Sequence, residues 1–124
     1  MANRKRLSSS NIRYLLTMKA LEDKNGVRCI DMAAALGLSK PSVHNMMESF
    51  IEMGFVSKNS HGAAFFTDSG DDVASRYARY YKAVSQLLEE SFGDVGDVEC
   101  ATCALLSQIP QESLERLCER KKTQ

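Results

Sequence analysis

The segment that most constrains this chain is Ala-Ala-Leu-Gly-Leu-Ser at residues 34–39. A helical pattern runs into it, with Met32, Ala33 and Leu36 on one face, and a second pattern runs out of it. Gly37 can adopt the left-handed conformation that stops a helix, and Ser39 can cap the next by accepting from a first-turn N–H. Pro41 suits an early helical position, where an N–H has no partner to lose. Two helices held at a large angle by so short a turn form a helix-turn-helix, whose second helix presents its first turn outward.

The flanking segments complete this unit. Residues 11–25 predict a helix with Ile12, Leu15, Leu16, Lys19 and Ala20 following the i, i+3, i+4 rhythm and Asn25-Gly26 as its stop. Val27-Arg28-Cys29 is a short extended link, with Cys29 as packing, and the second helix spans Asp31 to Leu36. The third carries Val43, Met46, Met47, Phe50 and Ile51 as its apolar stripe and ends at Gly54. Phe55–Lys58 and Ala63–Thr67 flank Asn59-Ser60-His61-Gly62, which predicts a β-hairpin. Helix, helix, turn, helix and hairpin together make a winged helix-turn-helix.

A long helix follows from Asp68 to Ser91. Its stripe is Val73, Tyr77, Tyr80, Val84 and Leu87, widened by Tyr81 and Leu88. The tyrosines have two readings: packing within the chain and against a second copy, or the lining of a ligand pocket. An acidic loop at residues 94–97, a short helix over 98–107 and a last helix from Pro110 with Leu114, Leu117 and Cys118 complete the chain. Glu119 to Lys122 are expected to fray. At the other end, Arg4, Lys5 and Arg6 precede three serines, an arm that is either solvated or laid along a polyanion backbone. The fold class is mainly α.

Charge adds direction. The net charge is zero, with sixteen cationic and sixteen anionic side chains, but residues 1–66 hold nine Lys/Arg against five Asp/Glu while residues 67–124 hold seven against eleven. A basic half that also carries the helix-turn-helix points to nucleic acid. In the third helix, Ser39, Lys40, Pro41, Ser42, His44 and Asn45 occupy the turn that would meet base edges and phosphates. Arg28 ahead of the second helix and Lys58 on the wing join them as candidate DNA contacts; His61 reads as a solvated turn residue.

Composition excludes other classes. With 44% hydrophobic and 26% charged residues the chain has ordinary globular usage. No apolar run approaches the ~20 residues of a membrane helix, and no secretory h-region follows the basic start. The expected compartment is the cytoplasm, where four cysteines act as thiols or ligands. No nucleophile–base arrangement, paired-acid signature or phosphate loop is legible, so catalysis is not expected. Two rival readings stand beside DNA binding by a regulator of this shape. One is a winged-helix regulator answering to a small molecule or a thiol signal. The other is a winged-helix adaptor used only for protein contacts.

Several runs carry a family resemblance: Tyr-Leu-Leu-Thr-Met (14–18), residues 27–43 ending Leu-Gly-Leu-Ser-Lys-Pro-Ser-Val, Met-Gly-Phe-Val (53–56) and Phe-Thr-Asp-Ser-Gly (66–70). They resemble the diphtheria toxin repressor family of metal-dependent regulators, in its two-domain, manganese-regulator-like branch. The resemblance implies a repressor that binds a near-palindromic operator in double-stranded DNA as a homodimer. It divides the chain into a DNA-binding domain over residues 1–70 and a helical dimerisation domain over 71–124. It also implies a divalent metal, manganese or iron. At the places where the family puts ligands this sequence has Arg13, Leu16, Tyr81 and Ala104; of the short-helix ligands only the first survives, as Cys100, with Cys103 one turn on. Three readings follow: two cysteines that only pack, with no metal bound; a metal or thiol sensor at Cys100 and Cys103, taking a thiophilic ion such as zinc or serving a redox role; or the family's metal binding kept in altered form.

Overall fold

The computed structural model describes residues 6–122, so Arg4 and Lys5 of the basic run lie outside the described residues. The element order is α1 (Ser9–Leu21), α2 (Cys29–Leu36), α3 (Lys40–Glu52), β1 (Val56–Lys58), β2 (Ala64–Phe66), α4 (Asp68–Phe92), α5 (Val98–Gln108) and α6 (Gln111–Lys122). The architecture is mainly α, a winged helix-turn-helix followed by helices. The chain forms two compact units: Tyr14–Ser75, and the segments on either side of it in sequence.

In the first unit the helix-turn-helix forms as its turn residues dictate. Gly37 takes φ 69°, and its N–H bonds the Ala33 carbonyl to close α2. The Ser39 side chain accepts from the Ser42 N–H at 3.3 Å to open α3. Met32, Ala33, Leu36, Val43, Met47 and Phe50 are buried, while Met46 and Ile51 are only half-buried. The wing pairs Val56 with Phe66, Ser57 with Phe65 and Lys58 with Ala64, antiparallel. Its turn is built by Asn59, whose Oδ1 accepts from the N–H groups of His61 and Ala63 at 2.9 and 3.0 Å. Val27 extends the wing by one bridge, exchanging hydrogen bonds with Ala64 at 2.9 and 2.8 Å.

The first helix departs from expectation at both ends. It starts at Ser9 because Ser8 and Asn11 form a reciprocal cap: Asn11 N–H donates to Ser8 Oγ, and Ser8 N–H to Asn11 Oδ1, each at 3.0 Å. It stops at Leu21 rather than Asn25 because Asp23 Oδ1 accepts from the Asn25 N–H, an Asx turn that competes with the helix. Gly26 follows at φ 83°, where a Cβ would meet the Phe65 ring at 2.7 Å. The inward face is also different. Tyr14, Leu15 and Met18 are buried in this unit, whereas Leu16 is half-buried and Ala20 exposed. Tyr14 takes the inward place by packing edge-on against Phe50, with centroids 6.4 Å apart.

In the second unit, Tyr77, Tyr80, Ala83 and Val84 of α4 are buried with Cys103, Leu106, Leu114 and Cys118. Tyr77 and Tyr80 stack edge-on at 5.0 Å, which answers the tyrosine question in favour of packing for these two. Leu87, expected inward, is 41% exposed. The last turn of α6 is helical rather than frayed: Lys121 Nζ reaches Glu90 Oε1 at 3.1 Å, and three cations face the negative end of the helix. Among the described residues no helix is long and apolar enough to cross a membrane.

Candidate nucleic-acid interface and the ligand positions

The recognition helix separates its residues cleanly. Burial of Val43, Met47 and Phe50 turns the opposite face outward, and Lys40, Pro41, Ser42, His44 and Asn45 are all exposed, as is Ser39 at the cap. The Ser39 and Ser42 hydroxyls lie 3.0 Å apart, so the cap is a small polar cluster at the positive end of the helix. Two further candidates approach from the wing side. Lys58 Nζ lies 3.8 Å from Glu48 Oε2 of α3. Arg28 Nη1 donates to the His61 carbonyl at 3.3 Å, which ties the start of α2 to the wing turn. Glu48 was not singled out from sequence, yet it joins the two elements: His44 Nε2 also lies 4.0 Å from its Oε2. The i, i+4 spacing of His44 and Glu48 was legible; the approach of Lys58 was not, because it needs the hairpin folded back on α3.

The metal positions can be tested in the second unit alone. Arg13 Nε donates to Glu99 Oε1 at 3.1 Å, so a guanidinium stands where the family resemblance puts a ligand. Around this pair is a cleft of about 240 Å³, lined also by Ser9, Ser10, Asp97, Cys100 and Cys103. Asp97 is engaged as the cap of α5, accepting from the Cys100 N–H at 3.0 Å. Cys100 is exposed, but Cys103 is 2% exposed, and burial, with Glu99 nearby, pushes its thiol up to about 11. Burial also raises Tyr81. Cys118 points elsewhere, its Sγ 3.9 Å from the Arg79 carbonyl. Among the described residues no three His, Cys, Asp or Glu are grouped to hold a metal ion. A hard divalent ion needs several deprotonated oxygen or imidazole donors. The residues present do not fit one.

Tyr80, Arg79 and Glu115 form a network in this unit. The Tyr80 hydroxyl donates to Glu115 Oε2 at 2.6 Å, and Arg79 Nη2 donates to the same oxygen at 3.1 Å. The Arg79 guanidinium, followed by the Tyr80 hydroxyl, lowers the Glu115 carboxyl below its ordinary range. Burial, then the bond to Glu115, raises Tyr80.

Comparisons with known proteins agree with this geometry. The sequence of residues 9–60 matches the family model of the IclR helix-turn-helix domain. No curated protein matches the chain. Among solved structures, a hypothetical protein of Sulfolobus solfataricus is similar at 23% identity and a TM-score of 0.65, over 95% of this chain and 92% of that one. T. acidophilum IdeR is similar at 20% identity and a TM-score of 0.65, over 97% of this chain and 56% of that one. The manganese regulator SloR is similar at 18% identity and a TM-score of 0.77, over 90% of this chain and 53% of that one. The chain therefore spans just over half the length of these last two. From the capped turn of α3 through the wing and into the helices beyond it, the chain shares its fold with T. acidophilum IdeR and the manganese regulator SloR, without a metal-binding cluster among its described residues.

Proposed function

We propose that this chain is a cytoplasmic, sequence-specific regulator that binds double-stranded DNA as a homodimer and represses from a near-palindromic operator. The observation that carries the reading is the first turn of α3. Its polar residues are exposed while the face behind them is buried, and the wing brings Lys58 alongside. Lys40, Lys58 and Arg28 are the phosphate contacts; Ser39, Ser42, His44 and Asn45 address base edges, with Pro41 fixing the turn. Residues 1–70 form the DNA-binding domain and residues 71–124 the dimerisation domain. Leu87, Phe92 and Leu105, exposed at 41, 72 and 37%, supply apolar surface for a second copy. If an ion acts on this protein at all, it is a thiophilic one at Cys100 and Cys103.

Selection from a random duplex library by the purified chain tests the reading. Enrichment of an inverted repeat with half-sites about one helical turn, ~34 Å, apart is expected, together with a dimer in light scattering. No enrichment over bulk DNA would leave the adaptor reading in its place.

A further inference from the structure

The second unit contains a groove that the DNA-binding reading does not use. Arg79, Lys82 and Gln86 of α4 form one wall, Lys121 and Lys122 of α6 the other, and Ala83 and Cys118, both 7% exposed, the floor; its volume is about 290 Å³. Among the described residues four cations line it and no carboxylate does. The carboxylates that partner them stand outside the lining: Glu115 holds Arg79 at 3.1 Å, Glu90 holds Lys121 at 3.1 Å, and Glu119 lies 3.8 Å from Lys122. Lys82 is exposed and has no ion pair with any described residue. The Arg79 guanidinium is held by Glu115 and sits 5.6 Å from the Tyr80 ring centroid, so this cation is fixed in place before any ligand arrives.

We propose that this groove binds a small organic anion, a carboxylate carried on an apolar body. Positive charge converging on a concavity attracts an anion, and the low-dielectric floor strengthens that attraction. An inorganic anion would leave the Ala83–Cys118 floor uncovered. A phosphodiester strand needs an extended track rather than a short cleft. An aromatic or branched aliphatic acid satisfies both features: its carboxylate meets Lys82 and the α6 lysines, and its body lies on the floor and the aliphatic lysine stems. The volume, at the lower end of ligand sites, suits a body of one or two rings. The groove and the recognition helix belong to different units, so failure of this proposal would leave the DNA-binding reading untouched.

The test is fluorescence anisotropy of 2-naphthoate titrated with the full chain. Saturable one-to-one binding with a Kd of about 1 mM or below is expected. It should weaken at least tenfold in a Lys82→Ala/Lys122→Ala double variant. It should vanish in Gln86→Trp, which fills the groove without changing its charge, and persist in Lys40→Ala. Circular dichroism establishes that each variant is folded. Equal affinity for neutral 2-naphthamide would overturn the proposal, as would displacement of 2-naphthoate by equimolar sulfate or a short duplex. So would wild-type binding by the double variant.

Discussion

The Arg13 guanidinium and the Glu99 carboxylate meet at 3.1 Å, joining the start of α1 to the first turn of α5. A cation occupies the position from which the family resemblance would have a ligand act. We expect manganese at about 1 mM to change operator affinity by less than tenfold, or ~1.4 kcal/mol, and chelator-treated protein to bind as untreated protein does. Titrating a selected operator with Mn²⁺, Fe²⁺ and Zn²⁺ checks this. Strong Mn²⁺ activation that survives Cys100→Ser/Cys103→Ser would refute it.

Lys40 and Asn45 should fail in different ways. Losing Lys40 removes a phosphate contact, so Lys40→Ala weakens all sequences alike and reduces the salt slope by ~0.9. Asn45 can pair bidentately with adenine, so Asn45→Ala costs ~1–3 kcal/mol of discrimination at one position. Binding isotherms on operator and scrambled duplexes at several salt concentrations separate the two effects.

Glu48 puts a negative charge between the recognition helix and Lys58 of the wing. Glu48→Gln removes that competing charge and strengthens the Lys58 contact to phosphate. We expect tighter binding to scrambled DNA and a salt slope steeper by ~0.9, with a smaller ratio of specific to non-specific affinity. An unchanged salt slope would show that Glu48 does not restrain the Lys58 contact to phosphate.

Gly70 sits in the first turn of α4, where alanine would ordinarily be the better helix former. Here the sign reverses, because a Cβ at Gly70 would fall on the carbonyl oxygen of Phe55. Gly70→Ala should destabilise the chain by about 3 kcal/mol, measured by urea denaturation. A stabilised variant would mean that the wing and α4 are not packed this closely.

The Arg79–Glu115–Tyr80 network gives stability an acid limb. Glu115 titrates below its ordinary 4.5 in the folded chain, so its contribution is complete above that value. It is lost as pH falls through the lowered one. Thermal melts of wild type and Glu115→Gln should differ at pH 7 and converge as pH falls below 4.5. A constant difference down that range would remove the carboxylate from the network's role.

Most of the winged helix-turn-helix was legible in the chain because its signals are local. Gly37 and Ser39 state where one helix stops and the next starts, and Asn59 with Gly62 states where the wing turns. Each acts through hydrogen bonds spanning no more than five residues. The stripe of α3 named its three buried residues as well as two that are half-exposed, since periodicity gives a face but not its width. What the tertiary structure alone decided depends on partners distant in sequence. Tyr14 turns inward because Phe50 offers a ring, and Leu87 stays exposed although it shares the α4 stripe. Cys100 and Cys103, one helical turn apart and alike in sequence, end with opposite exposure because only Cys103 faces the packed side of α5, where burial raises its thiol. The same is true of Arg13: composition supplies the cation, but only the approach of α5 to α1 gives it Glu99 as a partner, an ion pair spanning 86 positions that no periodicity encodes.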